Sequence, residues 1–206
     1  MGFTNDAEKS LAAADPVMAK LIERVGPLQF APRRLPTFQS LVRSIIYQQL
    51  SGRVAEVILD RFIALFGDRG FPAPHDVSTM DFEKMRGAGL SRPKTAYIKE
   101  VAEMTLKGMV PSVEECDRLS DTEIHDRLAR IKGVGPWTVQ MILIFNIGRP
   151  DILPVHDLGV RKGFQIAYRK KDLPTPEQLE RFGKKWKPYR TTATLYLWRA
   201  VDPENR

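Results

Sequence analysis

Between Leu128 and Val160 the chain reads LARIKGVGPWTVQMILIFNIGRPDILPVHDLGV. Gly133-Val134-Gly135 joins two amphipathic runs, a loop rich in glycine and proline follows, and Asp157 stands just past that loop. A turn that joins two helices in so few residues needs positive φ, which glycine adopts without steric cost. The expected product is a helical hairpin whose Gly133 and Gly135 amides, with those of a helix opening near Pro136, point outward together. Proline in a first helical turn loses no needed donor. Exposed amides at a helix N-terminus make an anion site, and such contacts grip phosphate without reading base sequence. An ordinary helix–loop–helix corner with C-cap glycines fits the Gly-x-Gly spacing as well, so the flanking pattern must decide between the two.

The periodicity is helical nearly throughout. Val17, Leu21, Ile22 and Val25 form one apolar face after Asp15-Pro16, a plausible N-cap and N1 pair. The run from Phe38 to Phe66 predicts two helices broken near Ser51-Gly52, and the Pro/Gly-rich stretch around Gly67 to His75 predicts a loop. A further helix is expected over about Ser91 to Lys107, and Ser120-Asp121-Thr122-Glu123 has the form of a capping box opening another. Helices follow near Thr138–Asn146, Leu158–Tyr168, Pro176–Phe182 and Thr191–Val201. Ile142 to Ile147 is rich in β-branched residues but lies in an apolar stretch of helical length, and is read as buried helix. Met85-Arg86-Gly87-Ala88-Gly89-Leu90 weakly echoes the hairpin and is read as a structural turn.

The 206 residues suffice to bury a real core, as one domain or two small lobes. The formal net charge of +7 favours a polyanionic partner. Much of it comes from the segment Arg161 to Arg199, with Lys170, Lys171, Lys184, Lys185, Lys187 and Arg190 among its cations; part of that segment is expected to flank a bound duplex. The single cysteine, Cys116, excludes an intrachain disulfide, a Cys-rich zinc site and a four-Cys iron–sulfur cluster. That fits a reducing compartment: cytoplasm and nucleoid, or the nucleus of a eukaryote. The N-terminus lacks the pattern of a secretory signal, and no segment is apolar for long enough to span a bilayer. His75 and His125 lack ligand spacing, so no metal on side chains and no cofactor are expected.

Leu-x-x-Ile-Lys-Gly-Val-Gly-Pro-Trp-Thr followed by a Gly/Pro loop and an aspartate is long and specific. With it, the chain resembles the helix-hairpin-helix (HhH-GPD) DNA glycosylase superfamily, and within it the DNA-3-methyladenine glycosylase II branch. The resemblance covers roughly residues 35 to 202. It takes in Phe38 to Leu65 with Gln48-Gln49-Leu50-Ser51, Gly89-Leu90-Ser91 with Lys94, and Trp186-Lys187-Pro188-Tyr189-Arg190 through Trp198. It implies an all-α fold of two interleaved helical lobes with a DNA-binding cleft between them. Residues 1–206 would form one glycosylase unit, with hairpin and catalytic loop at 128–160. Longer family members add an N-terminal β-rich domain, for which the residues before Phe38 leave no room. The implied activity is hydrolysis of the N-glycosidic bond of alkylated purines, 3-methyladenine and 7-methylguanine, in duplex DNA. The expected partner is double-stranded DNA with damaged bases, and the expected state is a monomer.

The resemblance also assigns residues. Asp157 is the expected catalytic acid; as a plain helix N-cap it would also make sense, and the two roles are compatible. Asp151, its nearest rival, looks like a loop residue. Trp137, Trp198 and Tyr47 are expected to line the base pocket, although Met141 and Arg199 stand where aromatics often occur. Family members that cut the strand carry a lysine at the position of Trp137; an indole cannot form that Schiff base, so a monofunctional enzyme is expected. Gln49 is the expected wedge into the duplex, with Leu50 as rival. Ser51, Lys132, Gly133, Val134, Gly135 and Thr138 are the other expected DNA contacts. The carbonyls of Ala129, Ile131 and Val134 are implied ligands of a monovalent cation. His156 is given a structural or DNA-facing role. Two alternatives stay open: a related glycosylase for deaminated or mismatched bases, and a non-catalytic DNA-binding hairpin.

Overall fold

The helical period resolves, in a computed structural model that describes residues 5–202, into α-helices with no strand among the described residues. In chain order they are α1 (Asn5–Ala14), α2 (Pro16–Val25), α3 (Thr37–Tyr47), α4 (Gly52–Ala64), α5 (Pro74–Thr79), α6 (Phe82–Gly87), α7 (Arg92–Leu106), α8 (Val113–Arg118), α9 (Asp121–Leu128), α10 (Pro136–Ile142), α11 (Leu158–Ala167), α12 (Pro176–Gly183) and α13 (Arg190–Arg199). A π-helical turn (Leu143–Ile147) continues α10, and a 3₁₀ turn (Lys184–Trp186) follows α12. The expected all-α class holds. So do the break between α3 and α4 and the Asp15, Ser120 and Asp157 caps. The stretch read as plain buried helix over Ile142 to Ile147 is buried at most positions but π-helical from Leu143. The short helices α5, α6 and α8 lay below the reach of the period argument, and the expected loop near His75 ends earlier, at Ala73.

The chain divides into two units. One is residues 33–142, the other joins the two ends of the chain, up to Pro32 and from Leu143 on. In the central unit α3 carries Leu41, Val42, Ile45 and Ile46 inward, against α4, α7 and α10. Met85, Ile98, Val101 and Ile124 complete that core. The Gly87-Ala88-Gly89 echo is a structural turn, as read. Gly89 has φ 104°, a Cβ there would stand 3.2 Å from Ile58 Cγ1, and Ser91 then caps α7.

The terminal unit packs Leu11, Met18, Leu21, Val160, Phe164, Leu179, Trp186, Tyr196 and Leu197 together. Its α11 and α13 cross so closely that a Cβ on Gly163 would lie 1.8 Å from the Leu197 carbonyl oxygen. At its centre is Asp15, 1% exposed. It caps α2 through Val17 N and Met18 N, and accepts hydrogen bonds from the Tyr168 hydroxyl and from Trp186 Nε1 at 2.9 Å. Lys185 Nζ stands 3.0 Å away, over the Phe182 ring. Burial pushes the Asp15 carboxyl up, but these hydrogen bonds and the lysine charge outweigh burial and hold it below the usual aspartate range. Lys185 and Arg190 were both counted among the basic residues of the segment expected near DNA; here Lys185 neutralises Asp15, and Arg190 is held by Asp151.

Two predictions follow from this unit. Gly163→Ala forces α11 off α13 and costs about 2–3 kcal/mol in urea denaturation. A carboxyl with a depressed native pKa contributes stability that is complete above its unfolded pKa, near 4, and lost as pH falls through the native value. Asp15→Asn, which keeps the cap but not the charge, is therefore about 2 kcal/mol less stable at pH 7. That deficit narrows below about pH 4 in a pH series of melting curves.

Candidate functional site

The loop after the π turn is built by α13. Thr191 Oγ1 donates to the Arg149 carbonyl at 2.6 Å and accepts from Ile152 N at 2.9 Å, while Thr194 Oγ1 donates to the Ile152 carbonyl at 3.2 Å. Asp151 takes the Arg190 guanidinium on both carboxylate oxygens, at 2.7 and 2.9 Å. Asp151 is thus a structural loop residue, and the chain arrives at Asp157 along a fixed path. Asp157, half-buried, is the N-cap of α11: its Oδ1 accepts from Val160 N at 2.8 Å. The same oxygen accepts from Trp198 Nε1 at 2.9 Å.

Trp198 is half-buried and stacks on Phe145 of the π turn, ring centroids 5.6 Å apart and planes 20° apart; Phe30 meets Phe145 edge-on at 5.7 Å. Phe145 therefore supplies an aromatic partner that no residue at Met141 or Arg199 provides. The row Trp137, Met141, Phe145 at steps of four is the sequence signal that could have found it. Gly159 is the second residue that the sequence reading missed. A Cβ on it would stand 3.0 Å from Trp198 Cδ1 and 3.1 Å from both Trp198 Nε1 and Asp157 Oδ1. A side chain here would push the indole or the carboxylate aside by a few tenths of an ångström.

In the central unit the hairpin forms between α9 and α10. Gly133 has φ 83°, and a Cβ there would lie 2.4 Å from the Tyr97 ring, so both backbone and space demand glycine. Gly135 differs: its φ is not positive and a Cβ would meet nothing within 4 Å, so the expected need for glycine holds at only one of the pair. Among the described residues the Gly133 and Gly135 amides make no hydrogen bond, and Lys132 and Gly135 are exposed. Val134 and Thr138, both expected DNA contacts, have buried side chains. Val134 is 4% exposed and its amide closes the turn onto the Ile131 carbonyl at 3.0 Å; Thr138 is 2% exposed. The Thr138 hydroxyl instead accepts from Gln48 Nε2 at 3.3 Å, and the same amide nitrogen donates to the Gly133 carbonyl at 3.1 Å.

Gln48 thus ties the hairpin to the turn after α3. That turn is also gripped by Lys94, whose Nζ donates to the Ile46 and Gln48 carbonyls at 2.8 and 2.7 Å, burial pushing the ammonium's pKa below its usual range. Between these holds, Gln49 is exposed and left-handed, with φ 58°. A non-glycine residue at such φ is costly unless its neighbours enforce it. Leu50 beside it is 37% exposed. Ser51 is exposed at the start of α4 and makes no side-chain cap bond. Tyr47 is half-buried with the Arg43 guanidinium 5.9 Å over its ring. Trp137, in the first turn of α10, is 44% exposed, and His156 is exposed. No cluster of three or more metal-ligating side chains occurs among the described residues.

Gly159→Ala tests the indole–carboxylate contact directly. The added methyl displaces Trp198, and exchange of its indole N–H, followed by NMR, accelerates about tenfold, the equivalent of one hydrogen bond to a charged acceptor.

Comparison with known proteins agrees with this geometry. The HhH-GPD superfamily base excision DNA repair protein family matches residues 42–188. DNA-3-methyladenine glycosylase 1 of Schizosaccharomyces pombe is 37% identical, over 94% of this chain and 86% of that protein. The solved structure of the S. pombe 3-methyladenine DNA glycosylase in complex with abasic DNA superposes with a TM-score of 0.86 at 36% identity, covering 95% of this chain and 96% of that one. A DNA-3-methyladenine glycosidase from Bacillus halodurans superposes with a TM-score of 0.87 at 34% identity, covering 98% and 92%. A family match across most of the length, on a chain with the hairpin, the loop and the capped aspartate in place, leads to one conclusion: this chain belongs to the HhH-GPD superfamily of base excision DNA repair proteins.

Proposed function

We propose that this chain is a monofunctional DNA glycosylase that hydrolyses the N-glycosidic bond of alkylated purines, 3-methyladenine and 7-methylguanine, in duplex DNA and leaves an abasic site. The observation that carries the reading is the Asp157 carboxylate held through one oxygen by Val160 N and Trp198 Nε1, at the mouth of a loop pinned by α13. Relatives named as 3-methyladenine glycosylases support the substrate class.

The chemistry follows from charge. Alkylation at N3 or N7 of a purine makes the base cationic and a good leaving group, so no strong general acid is needed. As the bond breaks, positive charge builds on the deoxyribose. A carboxylate preorganised beside that sugar stabilises it and positions the attacking water. Asp157 is preorganised in that sense, because rotation of its side chain breaks both the helix cap and the indole contact. The Trp137, Trp198 and Tyr47 rings each offer an electron-rich face suited to a cationic base. Trp137 carries no amine, so no Schiff base with the sugar forms and water is the nucleophile.

The backbone amides of Gly133 and Gly135, with the exposed Lys132, take a phosphate. A monovalent cation on the Ala129, Ile131 and Val134 carbonyls would add charge beneath that phosphate; a turn of neutral oxygens suits such an ion, and the Ile131 oxygen also accepts the Val134 amide. Gln49, held at positive φ, fills the space left by the extruded base, with Ser51 alongside it. Extrusion itself costs a few kcal/mol, less for a damaged base.

Asp157→Asn is the decisive variant, since asparagine caps a helix as well as aspartate does. Release of 3-methyladenine from methylated duplex falls at least about 100-fold, while affinity for an abasic duplex stays within about threefold, under 1 kcal/mol. Retained excision would overturn the catalytic assignment, and release of uracil or mismatched bases in preference to alkylated purines would overturn the substrate.

A further inference from the structure

At the end of α3 opposite Gln48 and Gln49 lies a cavity of about 510 Å³ in the central unit, lined by residues of α3, α5, α7 and α8 and the segments between them. Its walls are apolar: Phe38 and Phe71 meet edge-on with centroids 6.1 Å apart, and Pro72, Val110, Pro111 and Val113 are buried around them. Thr37 lines the cavity, is 2% exposed, and its hydroxyl has no hydrogen-bond partner. A buried hydroxyl left without a partner is destabilising, which a native fold does not carry without reason. The cavity also opens onto the N-terminus of α3, where Pro36 provides no side-chain cap for the first-turn amides. Its rim carries Glu114 and Glu115, both exposed, and Arg34, whose guanidinium is taken by Asp117 at 2.8 and 2.6 Å, so the rim keeps an acidic excess. On a chain of net charge +7 this is ground that repels phosphate and attracts cations.

These features ask for one ligand with an apolar group, hydrogen-bonding groups for Thr37 and the α3 amides, and a positive charge at the rim. We propose that the cavity docks a segment of a partner protein, one bulky apolar side chain next to a basic one. A polypeptide supplies all three elements at once: its side chain fills the Phe38–Phe71 pocket, its backbone meets Thr37 and the α3 amides, and its lysine or arginine pairs with Glu114. The volume suits one or two side chains. The length of α3 sets the cavity about 16 Å from the turn assigned to the DNA, so docking leaves that turn clear. None of this depends on the glycosylase reading.

The test is NMR titration of the isotope-labelled chain with acetyl-Lys-Trp-Lys-amide, and with acetyl-Glu-Trp-Glu-amide as the charge-reversed probe. The lysine peptide shifts the resonances of Thr37, Phe71, Val110 and Val113 with a Kd of about 1 mM, the range of a short anchor. Glu114→Lys weakens it at least about fivefold, and Thr37→Val, which removes the hydroxyl at constant shape, weakens it about fivefold. Both variants keep the wild-type spectrum away from the cavity, which establishes that they fold. Shifts confined to other surfaces, equal binding of the glutamate peptide, or full affinity in both variants would each overturn the proposal.

Discussion

The closeness of α11 and α13 governs the chemistry of the terminal unit. Gly163 lets the two backbones touch at the Leu197 carbonyl, and Leu197 is the residue before Trp198. The crossing therefore fixes where the indole emerges. Gly159, one turn earlier on α11, then clears the space through which Trp198 Nε1 reaches Asp157. Two glycines on one helix thus set a hydrogen bond between side chains 41 positions apart. A carboxylate fixed from two sides needs no reorganisation when charge appears beside it, and this is where preorganised sites gain over water.

The central unit solves a different problem with similar economy. The turn after α3 must expose Gln49 in a conformation that most residues avoid. Lys94 holds the carbonyls before the turn, and Gln48 reaches from within it to Gly133 and Thr138. The turn after α3 and the hairpin are consequently one hydrogen-bonded piece. Thr138, which sequence reading assigned to the nucleic acid, is a strut in that piece.

Much of this was legible beforehand. Caps at Asp15, Ser120 and Asp157 rest on local chemistry, and apolar period alone delimits α2, α4, α7 and α13 to within a residue or two. Gly133 was legible because positive φ is a backbone property. What stayed hidden depends on partners distant in sequence: Tyr97 against Gly133, Leu197 against Gly163, Trp198 against Gly159, Arg190 against Asp151. A glycine kept small for a neighbour looks the same in sequence as one kept small for a turn. The π turn was hidden for another reason, since one extra residue in a helical coil leaves composition and hydrophobicity unchanged.

That extra residue has a consequence for reading other chains of this kind. An α-helix advances about 100° per residue, and a π turn absorbs one additional residue within a coil that otherwise continues. Remove a single position between Leu143 and Ile147 and the chain could remain fully helical, yet Phe145 would swing about a quarter of a circle away from the Trp198 ring. An aligned column is then a poor guide to which ring backs the indole: in a chain without the bulge, the equivalent aromatic should be sought one place over, not under Phe145.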